Sequence, residues 1–497
     1  MFFLGLASSA IFAPLFFFPS LFCITILVYL VKYGKDVKYV LLLGLIFGFG
    51  HFLSGLYWVA IAPTTYDDTL SWMVPIALVG LPFILSFFIA LACACSWYYR
   101  FSENFTFAFT SFWVIFEWLR SWLFTGFAWN LTGYAMSFSA ITIQTASIWG
   151  VYGLSFILIY TASGYHILFE NKKSTLHTHI VFTLLLTTAL LIFGYYRLKL
   201  YSTKFENINI RVVQPSIIQN QKWDSNQFWT NLKKYIDLSK IPADKDSDII
   251  IWPEAAVTVP LHIKSVQDFI SYALVKPNSI LITGGIDEIE NPEYKVYTSM
   301  YAIQKDSKLL FIYHKQHLVP FGEYIPFKQL LPLTKITHGV IDYSQGQTVK
   351  VFELPNYKLK IRPLICYEVI FPNEVAISNK DVDLIINVTN DSWYGHSSGP
   401  YQHLHITIMR AVENGIPIVR AANNGISAII DPNGKIIQQT KLDQVTIIDS
   451  KLPKKLNFST IYSYFKMFSI IFLIIFLNTL KLISKNIKNC LIIKIIT

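Results

Sequence analysis

The chain has 497 residues, of which 53% are hydrophobic and only 14% charged, and it carries 39 Phe, 28 Tyr and 12 Trp with a formal net charge of +10. That balance excludes an ordinary soluble globule and a nucleic-acid binder; the lysines and arginines cluster beside apolar stretches, as in membrane proteins facing anionic lipid. Five cysteines without zinc-type spacing or a secreted disulfide pattern exclude a metal ribbon and a disulfide scaffold.

Residues 1–197 are expected to form a transmembrane helical bundle, with candidate spans at about 2–14, 18–33, 39–60, 73–98, 105–123, 145–168 and 179–197. The first stretch has neither a basic start nor a small-residue cleavage site, so it reads as a retained span. Pro14 and Pro19 mark a tight connection to the second. Glu117 and Arg120 stand three apart in the fifth run, where they share a helix face and can pair. Residues 198–458 change character: they are polar, with short Val/Ile-rich runs at 208–214, 248–252, 280–285, 298–304, 308–313, 361–366, 383–389, 417–422, 426–431 and 445–448. Strands of this kind, with functional-looking residues at their C-terminal ends, suit an extramembrane α/β layered domain. A last transmembrane helix is expected within 459–480, followed by a basic tail at 481–497. Lys32, Lys35 and Lys38, Arg100, Lys172 and Lys173, and the tail lysines then fall on one side. With about eight spans this places both termini in the cytoplasm and the 198–458 domain, with the Asp67 and Asp68 loop, outside.

Three segments of the polar domain carry chemistry. Asp248-Ile-Ile-Ile-Trp-Pro-Glu254 is a buried strand with a carboxylate just past its end. His314-Lys315 opens a second segment that runs to Glu323. Ile361-Arg-Pro-Leu-Ile-Cys366 is a strand ending in a cysteine with no second thiol in the domain. Taken singly, Cys366 reads as a buried core thiol, Glu254 as a helix cap and Lys315 as a surface lysine. In series they suit acyl transfer through a thioester: the carboxylate moves the thiol proton and the ammonium stabilises the oxyanion. A helix starting after Cys366 would favour the thiolate. Trp393 and Tyr394 also fit as core aromatics. His403 and His405 stand two apart, which on a helix points them in different directions, so no metal is expected.

These segments resemble the nitrilase, or carbon–nitrogen hydrolase, superfamily, whose Glu-Lys-Cys triad maps onto Glu254, Lys315 and Cys366. The resemblance implies an αββα sandwich. The bundle before the domain, a span after it, and the strings Lys222-Trp223-Asp224, Trp-Pro-Glu254, His-Leu-Val-Pro-Phe-Gly-Glu323, Cys366-Tyr-Glu368, Asn390-Asp-Ser-Trp-Tyr-Gly395 and Asn423-Asn-Gly-Ile-Ser427 resemble the apolipoprotein N-acyltransferase family in particular. So do Phe116-Glu-Trp-Leu-Arg120 and Thr125-Gly-Phe-Ala-Trp129. The family resemblance implies a membrane enzyme that moves an acyl chain from a phospholipid, commonly phosphatidylethanolamine, to the α-amino group of the diacylglyceryl-cysteine that begins a lipoprotein. It implies no cofactor. It further implies that Glu323 and Glu368 support the triad, and that Trp223 and Tyr367 line the acyl and substrate site. Where the family often has Tyr-Asn-Ser, this chain reads Tyr297-Thr298-Ser299. Two other functions fit parts of the pattern: a membrane-tethered amidase or nitrilase with water as acceptor, and a non-catalytic binding module on a transporter or scaffold.

Overall fold

A computed structural model of the protein describes residues 1–471 and 475, except 66–67, 171, 291–292, 330–334, 338, 340 and 348–350. Most of the expected last span, the basic tail and Asp67 lie outside the described residues. The N-terminal region folds into helices α1 (Phe2–Ser8), α2 (Phe22–Lys32), α3 (Val37–Gly55), α4 (Val74–Trp97), α5 (Phe105–Arg120), α6 (Ala146–Gly164) and α7 (Lys173–Leu200). Among the described residues, four apolar helical stretches are long enough to cross a membrane: Val37–Gly55, Thr69–Trp97, Ala146–Phe169 and Lys173–Leu200. Two further apolar helical stretches, Phe2–Ile11 and Phe18–Lys32, fall below that length. The Asp36 side chain caps α3 by accepting from the Tyr39 N–H at 2.7 Å, which satisfies one of the free donors of its first turn. α1 lies directly on α3 because both contribute glycine at the crossing. A Cβ on Gly5 would stand 2.1 Å from the Phe47 carbonyl oxygen, and one on Gly50 would stand 2.3 Å from that of Phe2.

Glu117 and Arg120 are both buried on α5, but among the described residues they form no ion pair with each other. The chain beyond α5 folds back and offers closer partners. Arg120 donates to the carbonyls of Phe127 and Trp129, both at 2.7 Å, and of Asn130 at 3.4 Å. Glu117 accepts from the Thr132 N–H and hydroxyl at 2.8 and 2.7 Å and from the Trp113 indole at 3.2 Å. Loop 121–132 is thus clamped by two charges whose own burial it makes tolerable.

The second region contains β1 (Phe205–Gln214), α8 (Gln219–Lys222), α9 (Phe228–Ser239), β2 (Ile249–Ile251), β3 (Val257–Pro260), α10 (Lys264–Ser271), β4 (Ile280–Ile289), β5 (Lys295–Gln304) and β6 (Leu309–His314). It continues with β7 (Phe352–Leu354), β8 (Leu359–Ile365), α11 (Pro372–Val375), β9 (Leu384–Thr389), α12 (Gly399–Asn414), β10 (Ile418–Ala422), β11 (Ala428–Ile430), β12 (Ile436–Gln439), β13 (Thr446–Pro453) and α13 (Ile461–Phe465). Every strand expected from the sequence is present. The short strands β3, β7 and β12 were not expected, because three or four residues hold too little alternation to show a period.

The strands form two sheets, in the orders β13-β1-β2-β4-β5-β6 and β12-β11-β10-β9-β8-β7, with β3 pairing off β4. Each has a parallel centre, β1-β2-β4 or β8-β9-β10, flanked by antiparallel strands. The two-residue strand period sorts the side chains into layers. Ile249, Ile251, Ile280 and Ile282 meet Ile361, Leu384, Ile386 and Val419 between the sheets. Ile250 and Leu281 face the other way and pack under α9 and α10 with Leu232, Ile236, Val266 and Ile270. The outer face of the second sheet, through Leu364, Ile385 and Ile418, packs with Leu404, Ile408 and Val412 of α12 and with Val151 and Leu154 of α6 in one continuous core. The bundle therefore belongs to the outer layer of the sandwich.

Candidate active site

Glu254 stands beyond the central strand β2, where Pro253 cannot extend the ladder. The next residue, Ala255, takes a positive φ of 48°, a sparsely populated conformation for a residue with a Cβ. The turn lies on Gly284 of β4, and a Cβ there would come within 2.6 Å of the Glu254 Cα. From the other side, Lys222 donates to the Glu254 carbonyl at 2.7 Å. The carboxyl is 8% exposed as part of its residue. Burial raises its pKa above the usual carboxylate value; Glu323 adds to this, while Lys315, Lys222 and the Cys366 thiol pull it back.

Lys315 follows β6, with its N–H donating to the Thr298 carbonyl at 2.8 Å. Its side chain is 1% exposed, and Nζ lies 2.9 Å from Glu323 Oε1 and 3.6 Å from Glu254 Oε1. Burial alone would lower its pKa, but Glu323 and Glu254 outweigh burial and raise it, so the ammonium stays charged. Glu323 is itself held, accepting from the Val319 N–H at 2.8 Å and from the Thr298 hydroxyl at 3.2 Å. Thr298, standing where an asparagine was expected, therefore still reaches the carboxylate that grips Lys315.

Cys366 follows directly on β8, with a φ of 50°. A five-residue 3-10 turn, Cys366–Ile370, occupies the place of the expected helix, and α11 beyond it has only four residues. No α-helix begins at the thiol to favour its anion. Burial pushes the Cys366 thiol up to about 12; Glu254 and Asp391 add to this, against Lys315 and Thr389. The resting thiol is thus protonated at neutral pH and requires a base.

Glu368 ties two of these segments together. One carboxylate oxygen accepts from the Ile365 N–H at 2.6 Å, next to the thiol. The other accepts from the Gln316 N–H at 2.6 Å, next to Lys315, and from the Tyr313 hydroxyl at 2.8 Å. It bridges main chain and does not touch the triad side chains in these bonds. Burial raises its pKa against those donors. Tyr367 is buried with its hydroxyl donating to the Gly126 carbonyl of the bundle loop at 3.1 Å. His317 also reaches that loop: Nε2 donates to the Thr125 carbonyl at 2.9 Å, and Nδ1 faces Glu374 at 3.0 Å. Trp223 lies half-buried immediately after α8.

Sequence reasoning gave no role to the network behind the thiol. Arg420 donates to Asn387 at 2.5 Å and to Asp391 at 2.7 Å, His403 Nδ1 meets Asp391 at 3.0 Å, and Asn387 reaches the Leu364 carbonyl at 3.3 Å. Burial would raise the Asp391 carboxyl, but Arg420 and His403 outweigh it and bring it down to about 2. Lys222 was noted only within a resemblance string. Nothing beside it singled it out, since α8 reads Gln-Asn-Gln-Lys and a lysine there looks solvated.

A two-sheet sandwich with a carboxylate, an ammonium and a thiol converging at strand ends defines a carbon–nitrogen hydrolase-type thiol enzyme. The family model described as Carbon-nitrogen hydrolase matches residues 209–456, and the Apolipoprotein N-acyltransferase N-terminal domain model matches residues 4–164. The chain is 47% identical to an apolipoprotein N-acyltransferase of Rickettsia prowazekii over 95% of both chains. It is 37% identical to one of Rhodopseudomonas palustris, over 82% of this chain and 79% of that one. A solved carbon–nitrogen hydrolase superfamily structure from Xanthomonas campestris is similar at a TM-score of 0.39 and 20% identity, covering 50% of this chain and 91% of that one. The chain belongs to the apolipoprotein N-acyltransferase family.

Proposed function

We propose that the protein transfers an acyl chain from a phospholipid, phosphatidylethanolamine being the expected donor, to the α-amino group of the diacylglyceryl-cysteine that begins a lipoprotein. The observation that carries this is that the similarity to acyltransferases extends through bundle and catalytic domain alike, with Glu254, Lys315 and Cys366 buried together. Glu254 takes the proton of Cys366 as Sγ attacks the ester carbonyl carbon. The resulting oxyanion is stabilised by Lys315 Nζ, which Glu323 holds in place. The ester C–O bond breaks, Glu254 returns the proton to the departing glycerol oxygen, and lysophospholipid leaves. The lipoprotein amine then attacks the thioester and gives a proton to Glu254. The C–S bond breaks, the amide is released, and the proton goes back to sulfur. Glu368 fixes the turns that carry the thiol and the ammonium, and Trp223 and Tyr367 border the substrate site. The apolar bundle supports this chemistry because acyl chains are held in lipid-facing grooves and not in water.

On this reading, phosphatidylethanolamine in the absence of any acceptor leaves one acyl mass on the peptide containing Cys366. Intact-peptide mass spectrometry checks it, and an unmodified Cys366 after incubation counts against the thioester.

The same reading places the enzyme in the inner membrane with about eight spans. Both termini are cytoplasmic and the catalytic domain, 198–458, is periplasmic, as the lysine-bearing loops require. A reporter fused after Leu456, ahead of the last span, should show periplasmic-type activity; cytoplasmic-type activity would reverse the topology.

A further inference from the structure

The acyl-transfer steps leave one buried cation of the site unused. Lys222 ends the short turn α8 and is 3% exposed, a rare condition for a lysine without a specific role. Its Nζ lies 2.7 Å from the Glu254 carbonyl oxygen. That carbonyl precedes Ala255 with its positive φ of 48°, so the bond is made to the strained peptide that aims the Glu254 side chain. Gly284 closes the turn from beneath, and Lys222 closes it from above.

The charges give Lys222 a second task. The groups that face Glu254 are Lys315, Glu323, Lys222 and the Cys366 thiol, with the Tyr343 and Tyr394 phenols also in its field. Lys315 is shared, nearer to Glu323 at 2.9 Å than to Glu254 at 3.6 Å. Lys315 is thus one ammonium between two carboxyl groups, and Lys222 is the second cation that faces Glu254. A buried site with an uncompensated negative charge takes up a proton on its weaker acid.

We propose that Lys222 is a positioning residue for acyl transfer, anchoring the Glu254 turn through its main chain and supplying the second positive charge that keeps Glu254 an unprotonated base. This rests on the reading of Glu254 as that base. Burial lowers the pKa of Lys222 to about 8 against the pull of Glu254 and Cys366, so its charge is lost on the alkaline side of neutrality.

The test is the rate of the lysophospholipid burst against pH, measured on the full-length enzyme with phosphatidylethanolamine vesicles. Lys222→Met removes bond and charge, whereas Lys222→Gln removes the charge and keeps a donor. In both, the acid limb should move upward by about one pH unit, because losing a nearby cation raises a carboxyl pKa. Lys222→Arg keeps the charge and should hold the acid limb in place. Glu254→Gln should abolish the burst at every pH. A burst that survives Glu254→Gln with its acid limb intact overturns the role of Glu254, and that of Lys222 with it. An inactive Glu254→Gln alongside slower neutral Lys222 variants with an unmoved limb leaves Glu254 as the base and overturns the proposal for Lys222 alone. Should the neutral variants fail to insert or fold, the acid limb of Lys222→Arg decides, and a limb displaced upward with the charge retained rejects the proposal.

Discussion

Phospholipid alone gives one burst of lysophospholipid, about one molecule per active enzyme, and then a stall. Cys366 lies in a buried turn, 4% exposed, and on the proposed mechanism a thioester formed there waits for an amine. Adding a diacylglyceryl-cysteine peptide with a free N-terminus restarts turnover and acylates the peptide, whereas acetylating that amine prevents the restart. Cys366→Ala shows neither burst nor turnover. Cys366→Ser is severely impaired: burial already pushes the thiol up to about 12, and an alkoxide in the same place is far harder to form. The measurement is lysophospholipid release with and without acceptor. Continuous release without acceptor would assign the protein to the water-using, tethered hydrolases that carry the same triad.

Replacing Lys315 with methionine removes most turnover, by roughly two or more orders of magnitude, the usual scale for an oxyanion-stabilising group. The reason is twofold. The side chain is 1% exposed, with Nζ 2.9 Å from Glu323 and 3.6 Å from Glu254. Its loss deprives the oxyanion of its cation and leaves two carboxylates facing each other. Without Lys315, the Glu254 carboxyl, already raised by burial and by Glu323, keeps its proton, so the expected base is disabled as well. Lys315→Arg rescues poorly, because a planar fork does not fit a position shaped for a point charge. Membrane insertion and thermal unfolding of both variants are to be compared with the wild type alongside turnover. Near-normal activity of a folded Lys315→Met would move this residue out of the mechanism.

The architecture of the catalytic domain was legible in the sequence because its signals are local. The isoleucines of β2 and β4 and the Val/Ile runs of β8 to β10 are bounded by Pro, Gly, Asn and Asp, and each alternates toward its own layer. The candidate triad was legible for the same reason: Lys315 and Cys366 each follow directly on a strand, and Glu254 stands three residues past one. What a one-dimensional pattern cannot hold is the identity of a buried group's partner. Glu117 and Arg120 are correctly spaced to pair, yet each bonds to the returning loop, because main-chain carbonyls, a hydroxyl and an indole lie closer than the opposite charge.

The thiol shows the same division. A strand ending in Cys366 was evident, but its electrostatics depend on groups far away in the chain. Glu368 reaches across to Gln316, Arg420 and His403 hold Asp391, and a 3-10 turn replaces the helix that would have lowered the thiol pKa. Lys222 is the sharpest case. In sequence it is one lysine in a polar stretch, and only the close approach of α8 to the end of β2 makes it a buried cation on the Glu254 turn. The sequence by itself determined which strands form, which residues end them and that the chain is largely apolar, since periodicity and composition are properties of neighbours along the chain. The tertiary structure alone decided which charges meet and how deeply each is buried, and those two quantities shift the pKa values of Glu254 and Cys366.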